Sequence, residues 1–278
     1  MKAWVDGALV DLAQARVSIL DHGFLVGDGV FETLRVYRGT PFAWTRHLER
    51  LYTSARGLGI EPPDAALLRA AASDVLAANA LVEGRLRITV TAGIAPPGSG
   101  RGNAPPTAFV VAFPIEPAAT RIDVVTVPWT RNEKGAIAGL KTISYAANVR
   151  ALAYAHERDA GEAIFANTQG NLCEATGSNV FVVRDGALLT PPASAGCLLG
   201  VTRALLLELA AAAGISSFER DIALAEFVHA EEAFLSSTTR EMQPISRIDG
   251  ARLPQVGGPV VEKLAARFRD LVARDLDP

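Results

Sequence analysis

Apolar and polar positions along this chain switch between a period of two and a period near 3.6, the marks of strand and helix. Residues 1–10 read as a short hairpin turning at Asp6 and Gly7. FETLRVY (31–37) alternates as a strand and runs into a turn at Arg38, Gly39, Thr40 and Pro41. Residues 45–58 have helical spacing, with Leu48, Leu51 and Ala55 on one side and Arg46 and Arg50 on another. An Ala-rich helix is predicted over 64–80, then strands over 85–91 and 107–115 across the loop APPGSGRGNAPP (95–106). In the strand at 85–91, Leu86, Ile88 and Val90 share one face, and Arg85, Arg87, Thr89 and Thr91 share the other.

The second half predicts a strand at 121–127, an irregular loop at 129–144 and a helix near 145–159. Strands follow at EAIFAN, NVFVV and ALLT, then a helix over 201–214 ending at Gly214. A strand at 231–237 and an amphipathic helix at 259–274 close the pattern. Helices and strands mix without strict βαβ alternation, so the expected class is α+β, in two domains with a cleft between them as the default site. Two prolines between Pro114 and Ala119 mark the connection. The expected division is a smaller N-terminal domain at 1–115, a linker at 116–121 and a larger C-terminal domain at 122–278.

Composition narrows the function. The chain has 278 residues, 49% of them hydrophobic, with a net charge of −3. That suits a soluble globular protein, and no basic excess exists to hold nucleic acid. No apolar run is long enough to span a membrane, and the N-terminal stretch carries Asp6 and Asp11, a poor signal peptide. The expected location is the cytoplasm. Two cysteines, Cys173 and Cys197, leave room for one disulfide at most. The four histidines are scattered without metal-ligand spacing and read as solvated or capping residues, so no metal is expected. GAIAGLKT (135–142) fails the P-loop spacing by one leucine.

Of the 27 basic residues only four are lysines, so a lysine nucleophile has few candidates. Lys2 is terminal, Lys134 sits in a polar turn and Lys263 lies on the amphipathic helix. Lys141 stands in GAIAGLKTISYAAN, with no other charge from 135 to 149. Such a lysine either snorkels or is kept desolvated, and desolvation yields the neutral amine that a Schiff base needs. Glu174, in CEATGSNVFVV, is either an exposed charge or a carboxylate paired with a cation such as a protonated pyridine nitrogen. GVTR (200–203) opens a helix and SSTTRE (236–241) clusters hydroxyls, both suited to an anionic cofactor. Arg85 and Arg87, with Arg101 in the loop, are solvated charges or carboxylate clamps.

Taken together, DHGFLVGDGVFETLRVYRGTPFAWTRHLERL (21–51), GLKTISYAANV (139–149), NLCEATGSNVFVV (171–183), LLGVTRALL (198–206) and SSTTREMQPI (236–245) resemble the class IV, pyridoxal-phosphate-dependent aminotransferases. The resemblance spans nearly the whole chain. It implies the two-domain α+β fold type IV, with the active site between the domains and pyridoxal 5'-phosphate bound to the larger C-terminal domain. It implies that Lys141 carries the cofactor as a Schiff base and shuttles the proton. Glu174 is implied to pair with the pyridine nitrogen, and Arg50 with Val201, Thr202 and Thr238 to bind the phosphate. Leu198 is implied to pack on the ring, Tyr145 to contact its phenolic oxygen and Thr239 to meet substrate through its backbone amide. Phe31, Arg85, Arg87 and Arg101 are the candidate substrate residues. The family assembles as homodimers, with the loop at 21–29 covering the partner's site. The activity implied is transfer of an amino group between an amino acid and a 2-oxo acid. A doubly basic site favours D-amino acids. The alternatives are an aminodeoxychorismate lyase and a branched-chain amino acid aminotransferase.

Overall fold

The computed structural model describes residues 1–278, which form two compact units. The first unit comprises Met1–Glu116, Leu140–Tyr145 and Asp275–Pro278. In chain order it holds β1 (Lys2–Val5), β2 (Ala8–Asp11), α1 (His22–Val26), β3 (Gly29–Tyr37) and β4 (Thr40–Pro41). Then come α2 (Trp44–Leu58), α3 (Ala65–Ala78), β5 (Gly84–Thr91) and β6 (Thr107–Phe113). The sheet runs β2-β1-β6-β5-β3-β4 and is antiparallel throughout. One face is the core, where Val30, Leu34, Val36, Leu86, Ile88 and Val90 pack with Leu51, Ala55, Leu68 and Val75 of the two helices. Burial of those side chains supplies the driving force, each contributing roughly 1.5–3 kcal/mol.

The N-terminus of α2 has no cap of its own, because Ala43 stands at the N-cap in the left-handed region. The C-terminal tail supplies it. Asp277 accepts from the Thr45 amide at 2.8 Å and from its hydroxyl at 2.7 Å, and the Leu276 carbonyl accepts from Ala43 N–H at 2.7 Å. That is why Asp275–Pro278 belongs to the first unit by contact, although chain order alone put it with the second.

The second unit comprises Pro117–Gly139 and Ala146–Arg274. It holds β7 (Ile122–Arg131), α4 (Ala146–His156), β8 (Glu162–Asn167), β9 (Leu172–Ala175), β10 (Asn179–Arg184) and β11 (Ala187–Thr190). It continues with α5 (Val201–Ala212), β12 (Ser217–Glu219), α6 (Leu224–Phe227), β13 (Glu232–Ser237), β14 (Glu241–Ile248), β15 (Ala251–Arg252) and α7 (Pro259–Arg274). A mixed sheet runs β12-β11-β10-β13-β14-β7-β8-β9, with β15 on β14. Apart from Arg184 at its end, β10 is buried at every position, as expected of a strand covered on both faces. Val180 and Val182 join one cluster, while Phe181 stacks on Phe234 across the strands at 4.8 Å.

The expected α+β class is found. The strand predicted at 121–127 extends through Arg131, and β14 forms where the sequence reading placed no strand. Cys173 and Cys197 are free thiols in one apolar cluster, and burial pushes the Cys197 thiol up to about 12. No helix is long and apolar enough to cross a membrane.

Candidate active site

The lysine is built into the first unit by a short antiparallel addition to β3. Phe31 N–H donates to the Lys141 carbonyl at 3.1 Å, and Ile143 N–H donates to the Gly29 carbonyl at 2.9 Å. Position 29 is glycine because a Cβ there would lie 2.8 Å from the Val90 carbonyl and 2.9 Å from Ile143 Cδ1. On the other side of the segment, the Lys141 amide donates to Ser54 Oγ at 3.0 Å. Lys141 is therefore fixed by backbone on two elements, which leaves its four-carbon side chain to be aimed by its surroundings.

Those surroundings centre on one ring. Lys141 Nζ lies 4.2 Å from the Phe31 ring centroid, and the Arg87 guanidinium carbon lies 3.7 Å from it. Tyr145 meets the same ring edge-on, 5.3 Å between centroids. The register explains the convergence, since Phe31 and Thr33 of β3 lie opposite Thr89 and Arg87 of β5. Arg87 has no carboxylate partner. Its Nε donates to Thr89 Oγ1 at 3.2 Å, and burial pushes its pKa below the ordinary guanidinium value. A desolvated cation without a counter-ion is suited to an anionic group brought by a ligand.

Beneath the ring, Glu32 sits fully buried on the apolar face of β3. Arg50 grips it with Nε at 2.7 Å and Nη2 at 2.8 Å, and His47 Nδ1 lies 2.6 Å from it. Burial alone would raise the Glu32 pKa, but Arg50 and His47 hold it well below the usual carboxylate range. Burial pushes His47 below its ordinary value, only partly offset by Glu32, so the ring stays neutral and donates Nδ1–H. His47, Arg50, Leu51 and Ser54 follow helical spacing, so one face of α2 binds both Glu32 and the lysine segment.

The other arginine candidates separate. Arg85 is exposed. Arg101 is exposed but occupied: Nε and Nη2 donate to Asp28 at 2.7 and 2.6 Å, and Nη1 donates to the Gly59 carbonyl at 3.0 Å. His22 joins that cluster with Nδ1 at 2.8 Å from Asp28 and Nε2 at 2.9 Å from the Gly98 carbonyl, and these two acceptors raise its pKa. The expectation that all four histidines are solvated or capping residues is corrected. His156 and His229 are exposed, but His22 and His47 are each only 2% exposed and paired with carboxylates, because polar groups inside a unit need partners.

In the second unit, Glu174 lies on β9 opposite Phe165 of β8. Its Oε2 accepts from Leu198 N–H at 3.0 Å, and its Oε1 lies 3.5 Å from Arg131 Nη2. Arg131 in turn lies over the Phe165 ring at 4.4 Å and donates to Asn148 Oδ1 at 3.2 Å. Leu198 is also bound through its carbonyl by Asn179 Nδ2 at 2.7 Å. Gly200 follows as the N-cap of α5 with no side-chain cap, leaving the first-turn amides of Val201 and Thr202 for an anion. A Cβ at Gly200 would run into the Asn179 side chain. Thr238 and Thr239 are half-buried in the turn between β13 and β14.

The family model described as class IV amino-transferase matches residues 29–248. The chain belongs to the class IV aminotransferases. A Methanocaldococcus jannaschii protein, named provisionally as a branched-chain-amino-acid aminotransferase, is 35% identical over 281 residues, 98% of this chain and 96% of its own. The D-alanine aminotransferase of Listeria innocua is 31% identical over 291 residues, 99% of this chain and 97% of its own. Among solved structures, the branched-chain aminotransferase of Thermoproteus uzoniensis with norvaline has a TM-score of 0.89 at 33% identity, covering 98% of this chain and 94% of that one.

Class IV aminotransferases use pyridoxal 5'-phosphate, and this member has residues that fit it. The Ser178 and Ser236 hydroxyls are buried without a partner, and α5 opens with uncapped amides, as a phosphate site requires. Glu174 is held as a fixed acceptor. Sequence reasoning missed Glu32, His47, Ser54 and Arg131. Glu32 carried a signal, a charge alternating with Leu34 and Val36 on an apolar face. Arg131 carried none.

Stability of the first unit is expected to fall on acidification in two stages. His47 has a folded pKa below its ordinary 6.5, so the unfolded chain takes up its proton first as pH drops through 6.5. Glu32, depressed below its ordinary 4.5, adds a second loss under that value. Urea unfolding followed by emission of buried Trp4 and Trp44 checks this. His47→Gln should flatten the loss between pH 7.5 and 5.5, and equal slopes would refute the assignment.

Proposed function

We propose that this class IV aminotransferase is a D-amino acid transaminase that reads a substrate carboxylate with Arg87. The observation that carries the reading is the placement of Lys141 Nζ and the unpaired Arg87 guanidinium on one Phe31 ring. Similarity to D-alanine aminotransferases supports the donor class. Arg85 and Arg101 are left out of the substrate set, because one is exposed and the other is bound to Asp28.

Bound pyridoxal phosphate supplies an electron-withdrawing ring that stabilises negative charge at the Cα of an amino acid joined to it. Lys141 Nζ is the amine that holds the cofactor and, once displaced, the base that takes the proton from substrate Cα. Glu174, fixed by the Leu198 amide and Arg131, would pair with the ring nitrogen and keep it protonated. Val201, Thr202 and Thr238 would bind the phosphate, and Arg50, which holds Glu32, would add its charge. Leu198 would pack on the ring, Tyr145 would contact the phenolic oxygen and Thr239 would offer its backbone amide to substrate. Phe31 walls the substrate side and keeps water from Nζ.

A second reading, a branched-chain amino acid aminotransferase, is favoured by the Phe31 and Tyr145 ring pair, which suits an apolar side chain. Mixing the holoenzyme with D-alanine and with L-leucine separates them. D-alanine is expected to deplete the violet-visible absorbance of the lysine-bound cofactor, with a rise in the near ultraviolet, and L-leucine to leave both unchanged. The reverse result sinks the D-amino acid reading, and pyruvate from aminodeoxychorismate without an acceptor would establish a lyase. Arg87→Gln should raise KM by about tenfold or more with little change in kcat, since it removes a charge-assisted bond made equally in ground and transition states.

The protein is a homodimer in this reading. Ile19 and Phe24 are 76% and 74% exposed, with Leu20 and Val26 beside them in the chain, an apolar surface that a second copy would cover. Light scattering should give twice the 29.3 kDa chain mass, and Phe24→Asp should shift it toward monomer. A monomeric wild type would reject the assembly.

A further inference from the structure

A charged cavity lies in the second unit, where β7, β14 and β15 run side by side. It has a volume of about 290 Å³, and none of its lining residues belongs to the groups described above. Across the strands, Arg247 of β14 has Asp123 opposite it on one side and Arg252 on the other. Like charges directly opposite one another destabilise a strand pair. Arg121, two residues before Asp123, brings a third guanidinium to the same cavity.

The internal charges do not balance. Asp123 is the one carboxylate in the lining, and it already accepts from Ser246 Oγ at 2.5 Å and lies 3.5 Å from Arg247 Nη1. The Arg121 and Arg252 side chains form no hydrogen bond or ion pair within the chain. Three guanidinium groups thus face one carboxylate, an excess of two positive charges. The strand itself is adapted here, because a β-bulge between Ile245 and Arg247 displaces the register at Ser246. The opposite wall is apolar and fixed. Leu253 is buried with its N–H on the Ser246 carbonyl at 3.1 Å, and Gln255 N–H binds the Glu231 carbonyl at 3.1 Å, so Pro254 and Val256 are held beside it.

We propose that this cavity binds a small organic dianion, a dicarboxylate or a phosphate monoester with a short apolar body, through Arg121, Arg247 and Arg252. Guanidinium forks match carboxylate and phosphate oxygens in pairs, and two negative charges neutralise the excess. The volume stands at the lower end of ligand sites, which begin near ~300 Å³, so the ligand is a metabolite of modest size. The bound anion removes the repulsion between Arg247 and Arg252 and ties β15 to the sheet. This site is independent of the substrate assigned to Lys141.

Calorimetric titration of the holoenzyme at constant ionic strength tests it, with glutarate and phenyl phosphate as separate probes. Saturable binding of at least one probe at this site is expected, with the cofactor absorbance unchanged. Arg121→Gln and Arg252→Gln should each weaken it about tenfold or more, the loss of one charge-assisted contact. Both side chains are exposed and unpartnered, so the variants keep the fold, which circular dichroism checks. Asp123→Asn should tighten binding by removing the competing carboxylate. Binding of glutarate alone assigns a dicarboxylate, and of phenyl phosphate alone a phosphate ester. No saturable binding of either probe, or binding undiminished in both arginine variants, overturns the proposal.

Discussion

A carboxylate on the apolar face of a sheet must be paired or expelled, because an isolated ion in that environment costs far more than any single packing contact returns. Glu32 is such a carboxylate, and its pairing sets the first unit around the lysine. Arg50 and His47 reach it only if α2 lies over β3 in one register. That register turns Ser54 toward the Lys141 amide. The same strand offers Phe31 on its opposite face and binds the Lys141 carbonyl through its backbone. One buried ion triad thus fixes a helix, and the helix with the strand fixes the backbone of the lysine.

The opposite face of β3 suits the proposed chemistry for a complementary reason. Phe31 presents an aromatic surface that tolerates cations, so the Lys141 amine and the Arg87 guanidinium can share it. A carboxylate there would lock Arg87 and compete with a ligand. Arg101 shows the contrast. It lies in the same unit, but Asp28 accepts from two of its nitrogens and leaves it structural, joining the loop at 95–106 to α1 and its flanks. Whether an arginine binds a substrate or braces a loop is decided by the nearest carboxylate.

In the second unit the acceptor is Glu174, and its surroundings follow the same logic with weaker partners. A backbone amide and an arginine at 3.5 Å orient the carboxylate. The uncapped start of α5 and the unpartnered Ser178 and Ser236 hydroxyls leave donors where an anion belongs. At the junction of β7, β14 and β15, positive charge again exceeds what the chain neutralises.

Local pattern in the sequence determined the elements, because periodicity reports which face of a strand or helix is buried, and burial supplies most of the driving force. It also isolated Lys141, since a lysine in an uncharged stretch is visible without knowing its neighbours. Partners were another matter. Glu32 and Arg50 are 18 positions apart, Glu174 and Leu198 are 24, and Asp28 and Arg101 are 73. No period links such pairs, so the pattern by itself left Arg87 and Arg101 alike as solvated charges or carboxylate clamps, and His22 and His47 as solvated or capping residues. Tertiary structure alone told them apart. The reason is physical: an apolar side chain gains from any apolar neighbour, whereas a charge depends on one partner at hydrogen-bond distance, and only the folded chain decides which residue that is.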